Sequence, residues 1–162
     1  MAANAYMDTE KTPEEIRMAL EAGVAAHADW TIAAQLNGDF TQAKAYEETI
    51  AYLQSSPAPD VVYCENDNMC FGVMQALDEL GIAYGDGGVT LISFDAGRTA
   101  LSYCKDGKID LCAECNPLHG PRVRALIEQL ARGETPEKLS YMPEALFTAD
   151  TLTAELLESR VY

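Results

Sequence analysis

The fold is decided by residues 60–82, which read DVVYCENDNMCFGVMQALDELGI. The stretch opens at residues 61–64 with a short apolar run of the kind that a strand buried on both faces shows. A polar turn follows, in which Asp67 or Asn68 is a suitable helix N-cap, and apolar residues then recur at helical spacing until Gly81. This pattern predicts a strand that feeds a helix, which is half of a βαβ unit.

Strand and helix patterns alternate along the rest of the chain. Strands are predicted over residues 30–36, 89–94 and 109–115, with a further extended piece over residues 139–142. Helices are predicted over residues 12–26, 41–55, 98–105, 120–132 and 151–159. The alternation predicts an α/β fold, a parallel-sheet three-layer sandwich. We expect residues 1–11 to form a flexible tail and residues 12–162 to form one domain.

Composition narrows the function classes. The 162 residues carry 11 Lys and Arg against 26 Asp and Glu, which gives a formal net charge of −15. Such a charge argues against a nucleic-acid or anionic-membrane surface. The sequence contains no run of eighteen apolar residues, and its first residues lack the basic and apolar segments of a secretory signal, so we expect neither a membrane span nor a signal peptide.

The five cysteines are an odd number at irregular spacing, which does not indicate a disulfide framework. Cys112 and Cys115 form a lone C-x-x-C with His119 nearby, so a zinc site has to be weighed. A strand over these residues would point the two thiols to opposite faces, which is poor geometry for a shared metal. Buried structural thiols are therefore the favoured interpretation, and no metal or cofactor is predicted.

The predicted strands place four side chains at equivalent positions: Phe40, Asn66, Asp95 and Glu114 each follow or close a strand. Since the carboxyl ends of parallel strands meet at one edge of a sheet, we expect these side chains to converge there. An aromatic face beside amide and carboxylate oxygens suits a sugar, whose C–H face stacks on a ring while its hydroxyls need acceptors. Arg17, near the start of the first helix, could add a donor fork.

Each of these residues also has a purely structural interpretation. Phe40 could be a core aromatic, Asn66 an N-cap, and Asp95 a turn former, while Glu114 could be exposed at a strand end. Taken singly, the structural interpretation is favoured for every one of them. Their shared position at the ends of successive strands favours a binding site.

Several short segments together carry a family resemblance. They are Phe40-Thr41, Glu65 to Met69, Ser93-Phe94-Asp95, Asp106 to Ile109 and Glu114 to Pro117. These segments resemble the C-terminal lobe of type I sugar-binding proteins, the solute receptors of bacterial ABC importers. The phrase GDFTQAKAYE and the ending around Arg160 are most similar to the galactofuranose-binding branch. The resemblance covers roughly residues 14–162.

The resemblance implies a role for each candidate residue. Phe40 would stack on the sugar ring, while Asn66, Asp95 and Glu114 would hydrogen-bond its hydroxyls. Arg17 falls at the family's sugar-binding arginine, although Leu20-Glu21 stands where a Gly-aromatic pair usually follows. The full-length parent would be periplasmic or attached to the cell surface, and it would deliver sugar to an ABC permease.

The resemblance also implies that a large part of the fold is missing, because family members are about twice as long as this chain. The missing parts are the first lobe and the first strand and helix of the second lobe. We expect the resulting gap in the sheet either to close directly or to be filled by another chain in a homodimer. With only half of a cleft, sugar affinity should be weak or absent.

Two other classes of protein fit the sequence less well. The effector-binding core of a lactose-repressor-type regulator shares this fold but would need a basic helix-turn-helix headpiece, which these residues do not contain. An enzyme would need a nucleophile or base in a recognisable motif. His27 and His119 are the only histidines and neither stands beside a nucleophile in such a motif, so we expect no catalysis.

Overall fold

The computed structural model describes the backbone of residues 13–162 and the side chains of residue 18 and residues 20–162, so the predicted tail at residues 1–11 lies outside the described residues. The helices of this part are α1 (Pro13–Ala25), α2 (Gln42–Leu53), α3 (Asp67–Leu80), α4 (Arg98–Lys105), α5 (Gly120–Ala131) and α6 (Ala154–Ser159). The strands are β1 (Val61–Tyr63), β2 (Thr90–Asp95), β3 (Leu111–Glu114) and β4 (Leu146–Phe147). All the predicted helices therefore have a counterpart, with bounds shifted by at most a few residues.

The strands form one four-stranded sheet in the order β1-β2-β3-β4. The first three strands run parallel, and β4 pairs antiparallel with β3. Since helices connect the parallel strands, all three carboxyl ends lie at one edge of the sheet. The predicted α/β class with a mainly parallel sheet is confirmed.

The helix that follows β1 is defined by polar residues at its start and a glycine at its end. The N-cap is Asn66, whose Oδ1 accepts a hydrogen bond from the Met69 N–H at 2.8 Å, rather than the predicted Asp67 or Asn68. Asn66 takes this position because its backbone is extended while Asp67 is already helical. Gly81 ends the helix in the left-handed region at φ 66°.

Helices α2 and α3 approach each other so closely that a side chain would not fit between them. A Cβ added at Gly72, in the middle of α3, would lie 2.3 Å from the Gln42 carbonyl oxygen and 2.9 Å from the Tyr46 nitrogen. Gly72 is therefore required for this packing, although glycine in a helix interior costs about 1 kcal/mol relative to alanine. The close contact fixes α2, and with it the turn that precedes α2, against α3.

The two faces of the sheet are covered to different extents. On one face Leu91, Ser93 and Cys112 are fully buried beneath α3 and α4, and Leu91 and Cys112 belong to the main hydrophobic core. On the other face the outer positions are open, with Val61 exposed to 51% and Leu146 to 54%. Helix α5 buries none of its residues and leaves apolar side chains in solvent. Parallel sheets are ordinarily buried on both faces, so this face is incompletely covered in the described residues.

The strand predicted over residues 30–36 is wrong, because these residues belong to no strand and are all exposed. A strand exists only where a neighbour supplies hydrogen bonds, and no described strand pairs with them. The direct closure of the sheet, one of the two expected outcomes of the gap, is therefore contradicted: β1 is an outermost strand, and residues 30–36 do not join it.

The extended piece predicted over residues 139–142 is also misplaced, since it contains no strand and β4 lies at Leu146–Phe147 instead. Phe147 pairs with Cys112 and is buried, whereas Leu139 and Tyr141 are exposed. The position of β4 is thus decided by the partner strand and by burial, neither of which a local pattern contains.

Candidate functional site

The candidate site lies where the carboxyl ends of β1, β2 and β3 meet. Asp95 and Glu114 are the last residues of neighbouring strands and are direct register partners. Asn66 comes three residues after the end of β1, which is held to β2 by the Cys64 N–H donating to the Ile92 carbonyl at 2.8 Å. The parallel topology therefore brings these side chains to one edge, which we call the carboxyl edge.

Asn66 connects the end of β1 to the turn that carries Phe40. Its Nδ2 donates to the Phe40 carbonyl oxygen at 3.2 Å, while its Oδ1 caps α3. Asn66 is buried, whereas 53% of the Phe40 side chain is exposed. The amide thus fixes the backbone of the turn and leaves an aromatic ring in solvent beside the carboxyl edge.

The same edge also contains an unusual backbone conformation. Among the described residues, the non-glycine positions with positive φ are Asp39, Phe40, Asp95 and Ala96. Both pairs belong to the candidate site: one carries the aromatic ring and the other ends β2. Left-handed backbone at such residues costs about 1–2 kcal/mol each, and strain of this kind concentrates at functional sites.

Asp67 holds the ends of β1 and β2 together. Its Oδ1 accepts a hydrogen bond from the Ser93 hydroxyl at 2.5 Å, and its Oδ2 accepts one from the Gly97 N–H at 2.8 Å. Burial raises the pKa of Asp67 to about 6, although both hydrogen bonds act in the opposite direction. Asp67 is thus a buried brace beneath the site rather than a residue at its surface.

Asp95 is half-buried next to this brace. Burial raises the pKa of Asp95, and a hydrogen bond from the Asp67 N–H acts in the opposite direction. The two carboxyl groups also repel each other, which contributes to the raised pKa of Asp67. Asp95 therefore offers oxygen acceptors at the edge while being held by the backbone of the neighbouring turn.

Glu114 is bound by the last residues of the chain. Its Oε1 accepts hydrogen bonds from Arg160 Nη1 and from the Tyr162 hydroxyl, each at 2.5 Å, and its Oε2 accepts one from the Ala145 N–H at 3.1 Å. The side chains of Arg160 and Glu114 are only 9% and 10% exposed. Burial alone would raise the pKa of Glu114, but Tyr162 and Arg160 outweigh it, so the pKa lies below its ordinary value.

The residues that bind Glu114 are themselves fixed. The Arg160 guanidinium lies over the ring of Phe147 at 5.2 Å and over that of Tyr162 at 4.7 Å. Arg98 Nε donates to the Arg160 carbonyl at 2.7 Å, and the Arg98 N–H donates to the Tyr162 carbonyl at 2.7 Å. We call Glu114, Arg160 and Tyr162 the tail clamp, since they join the end of β3 to the end of the chain.

The predicted site residues differ in whether their side chains already have partners within the chain. Phe40 and Asn66 are joined by a hydrogen bond, and Asp95 and Glu114 are register partners, so these four lie along the carboxyl edge. Asn66 and Glu114 already have intramolecular partners, while the Phe40 ring is exposed. Arg17 belongs to α1, but its side chain lies outside the described residues. The sugar-binding roles of all five stay predictions.

Sequence reasoning did not assign Asp67, Arg160 or Tyr162 to this site. Asp67 had a visible signal, since an acid directly after a predicted buried strand lies at the same edge as its neighbour Asn66. The sequence contains no such signal for Arg160 and Tyr162, because they are 46 and 48 residues away from Glu114 along the chain. Contacts of that range are formed by the tertiary fold alone.

The described residues contain neither a metal-binding cluster nor a membrane-spanning helix. No group of three or more His, Cys, Asp or Glu side chains there could hold a metal ion. Cys64, Cys70, Cys104 and Cys112 are buried, and Cys115 is half-buried. None of the helices in this part of the chain is both long and apolar enough to cross a bilayer.

The sequence profile of the periplasmic binding protein domain matches residues 6–120, which is well over half of the chain. This chain belongs to the periplasmic binding protein family. It is 31% identical over 124 residues to the galactofuranose-binding protein YtfQ of Escherichia coli (strain K12), a match that covers 74% of the chain and 39% of YtfQ. It is also 31% identical over 83 residues to the fructose import binding protein FruE of Bifidobacterium longum (strain NCC 2705), covering 51% of the chain and 24% of FruE.

Solved structures of periplasmic binding proteins share the fold. One from Mycobacterium smegmatis, in complex with β-D-fucofuranose, superposes with a TM-score of 0.76 at 28% identity and covers 85% of this chain and 45% of its own. The chain therefore spans less than half the length of these relatives. They are sugar-binding proteins, and the comparisons do not favour the regulator of the lactose-repressor type.

Proposed function

We propose that this chain is part of the sugar-binding component of an ABC carbohydrate importer, in which residues 12–162 supply one wall of the sugar cleft. The observation that carries the proposal is the carboxyl edge, where the turn of the exposed Phe40 ring is bound to Asn66 after β1, and where Asp95 and Glu114 end the neighbouring strands β2 and β3. The family is a family of binding proteins, which supports a role for these groups in binding.

The arrangement provides the two contacts that a sugar needs. The exposed Phe40 ring can stack on the C–H face of a sugar ring, with a strained turn and the Asn66 hydrogen bond holding it in place. Asp95 and Glu114 offer oxygen acceptors, and Asn66 retains a second amide proton for donation. The tail clamp keeps Glu114 ionised, and an ionised acceptor makes the stronger hydrogen bond to a hydroxyl.

We propose a furanose, a sugar with a five-membered ring, as the ligand class. The E. coli relative is named for galactofuranose, and the M. smegmatis structure holds β-D-fucofuranose. Both share 28% identity or more with this chain, which supports carrying over the class of ligand but not the individual sugar.

One wall cannot enclose a ligand, and small-molecule sites ordinarily bury most of the ligand surface. We therefore propose weak binding by this chain alone, with a Kd on the order of 10 mM, which corresponds to less than about 4 kcal/mol. The full-length parent would work in the periplasm or at the cell surface and deliver its sugar to an ABC permease. Two copies of the present chain would associate as a homodimer through exposed sheet edges.

The proposal is tested by a ¹H–¹⁵N NMR titration of the chain with methyl β-D-galactofuranoside, whose ring form is locked, up to about 100 mM, tenfold above the proposed Kd. Methyl β-D-galactopyranoside serves as the comparison ligand. We expect saturable shifts of the backbone amides around Phe40, Asn66 and Asp95 with the furanoside, and smaller shifts with the pyranoside. Absence of shifts at this edge, or shifts confined to other surfaces, would overturn the proposal.

A pair of variants sharpens the test. Phe40→Ala removes the proposed stacking surface and should abolish the shifts at Asn66 and Asp95. Tyr141→Ala removes an aromatic side chain that is also exposed, at 70% against 53% for Phe40, but lies in the exposed segment before β4, so the titration should be unchanged. Equal loss in both variants would argue against a specific site.

A further inference from the structure

Four of the five cysteines lie together in the hydrophobic core, and none of their side chains belongs to the candidate site. Cys64, Cys70, Cys104 and Cys112 are all members of the core cluster, and each is at most 4% exposed. A buried thiol packs as a small apolar group but keeps the chemistry of its sulfur. The contacts of these sulfur atoms therefore decide what they can do.

Cys104 and Cys112 lie on the two sides of the contact between α4 and β3. Cys104 is in the last turn of α4, Cys112 is the second residue of β3, and both are fully buried. The Cys104 thiol donates to the carbonyl oxygen of Phe147, the register partner of Cys112, at 3.6 Å. The Cys112 thiol donates to the carbonyl oxygen of Ala100, one helical turn before Cys104, at 3.8 Å. Each thiol thus contacts the backbone next to the other.

The two thiols also contact each other directly. A hydrogen bond from the Cys112 thiol to the Cys104 sulfur lowers the pKa of Cys104, although burial acts in the opposite direction. Because the sulfur atoms already touch, only a small movement separates them from a disulfide bond, whose S–S length is about 2.05 Å. A lowered pKa favours the thiolate, which is the reactive form. The geometry is therefore that of a dithiol that can be oxidised.

The other cysteines are less suited to this reaction. Cys64 and Cys70 are also hydrogen-bonded to each other, but both that bond and burial raise the pKa of Cys64. Cys115 is half-buried and does not belong to the core cluster. Cys104, whose pKa is lowered, is thus better placed than Cys64 to react first.

We propose that Cys104 and Cys112 form a disulfide when a small-molecule disulfide is present as the oxidant. The Cys104 thiolate attacks one sulfur of the oxidant and expels a small thiolate, which leaves a mixed disulfide on Cys104. Cys112 then attacks the Cys104 sulfur and expels the second small thiolate. The chain gives up two electrons and two thiol protons, and the oxidant takes them up as two small thiols. This proposal goes beyond sugar binding and does not depend on it.

The oxidant reaches the thiols only while α4 is away from the sheet, because both sulfur atoms are buried. Helix α4 has eight residues and buries three of them, Ala100, Leu101 and Cys104. A short element with few buried side chains opens at a lower free energy than the whole fold. Oxidation is therefore expected to be fastest during refolding, before α4 packs on β3.

The disulfide would join α4 to β3 across residues 105–111. Such a cross-link restricts the unfolded chain, and the sulfur atoms are already in contact in the fold, so little strain is introduced. We expect the oxidised chain to unfold at a temperature higher by about 5 °C or more than the reduced chain. Adding a reductant should reverse the rise.

The bond is located by peptide mapping. The full chain is unfolded in urea with a reductant, refolded in a buffer of oxidised and reduced glutathione, alkylated, and digested with trypsin without reduction. Cleavage after Lys and Arg places Cys104 in the peptide 99–105 and Cys112 in the peptide 109–122. We expect these two peptides to be linked in most molecules, and to stay linked with reduced glutathione in tenfold excess.

Cys115→Ala is the matched control, since Cys112 and Cys115 share the peptide 109–122. We expect Cys115→Ala to keep both the linked peptides and the rise in unfolding temperature. Cys112→Ala should lose both, because Cys104 then has no partner thiol at this contact. The result for Cys115→Ala decides the assignment even if Cys112→Ala does not fold.

Three outcomes would overturn the proposal. They are a wild-type chain that is fully alkylated after refolding, a link that is lost in Cys115→Ala, and a disulfide found only within the peptide 45–98, which contains Cys64 and Cys70. None of them bears on the sugar titration, because that experiment is carried out on the reduced chain and reports on Phe40, Asn66 and Asp95.

Discussion

At the β3–β4 side of the carboxyl edge, Glu114 is held in a nearly buried ion pair with Arg160, and Phe147 is in the core. At the β1 side of the same edge, the Phe40 ring is exposed, β1 is an outer strand, and residues 30–36 are paired with no strand. The comparison shows that one chain can complete half of this edge with its own residues. The ion pair on the β3–β4 side is nearly buried, whereas the aromatic ring on the β1 side, which we propose as a sugar contact, is exposed.

The largest expected loss of folding stability comes from a substitution on the β3–β4 side. Arg160→Ala leaves the Glu114 carboxylate buried without its cation, and breaking a buried pair in this way costs about 3–5 kcal/mol. Urea unfolding at pH 7 measures the loss. Arg124→Ala removes the exposed pair with Glu128 and is the control, with little change expected. Equal losses of unfolding free energy in the two variants would mean that the buried pair stabilises the fold no more than the exposed pair does.

A pH dependence follows from Asp67, which braces the middle of the edge. Because burial raises its pKa from 3.8 to about 6, the folded state holds the proton more tightly than the unfolded state. Its contribution to stability is therefore complete below about pH 4 and is lost as the pH rises through about 6, on the order of 2–3 kcal/mol in total.

Asp67→Asn should remove that loss, since the amide does not titrate. The measure is the difference between the unfolding free energies of the two proteins from pH 4 to pH 8. Taking the difference cancels the contribution of Glu114, whose lowered pKa acts in the opposite sense: its stabilisation is present above its ordinary pKa and lost as the pH falls. A difference that does not vary with pH would contradict the role assigned to Asp67.

A smaller loss of stability is expected at the contact between α2 and α3, which fixes the Phe40 turn. Gly72→Ala places a Cβ against backbone atoms of α2 and should cost about 1–3 kcal/mol through overpacking. Gly23→Ala is the control, because a Cβ there meets nothing within 4 Å in α1 and alanine should stabilise by about 0.5–1 kcal/mol. Thermal unfolding of both variants measures the changes, and we expect Gly72→Ala to lower the stability and Gly23→Ala to raise it.

The smallest effect is expected on the β1 side. Phe40→Ala removes an exposed ring and should change the unfolding free energy by less than about 1 kcal/mol. Phe147→Ala deletes a buried ring on the β3–β4 side and should cost about 3–5 kcal/mol. Denaturant unfolding of both variants tests the comparison directly, and a large loss for Phe40→Ala would mean that this ring is structural.

Local patterns predicted the parts of the molecule that are determined locally. The helix over residues 98–105 and the strand-turn-helix at residues 60–82 follow from capping residues and apolar spacing, which lie next to one another in sequence. The placement of Asp95 beside Glu114 also followed, because parallel topology puts the ends of successive strands at one edge.

The rest depends on partners far away in the sequence. Residues 30–36 have the composition of a strand, but a strand needs a hydrogen-bonded neighbour, and none of the described strands pairs with them. The state of Glu114 could not be predicted because its cation and hydroxyl partners follow 46 and 48 residues later. Both cases concern pairings that only the three-dimensional arrangement brings about.

The left-handed backbone at Asp39, Phe40, Asp95 and Ala96 has a consequence for how a ligand would bind. Each turn is held in its strained form by the surrounding fold, so an incoming molecule does not have to freeze these torsions itself. Association with such a rigid surface loses little conformational entropy, which favours rapid exchange over slow adaptation. A surface of this kind would suit the sugar-binding role proposed above, in which the ligand has to be released as readily as it is taken up.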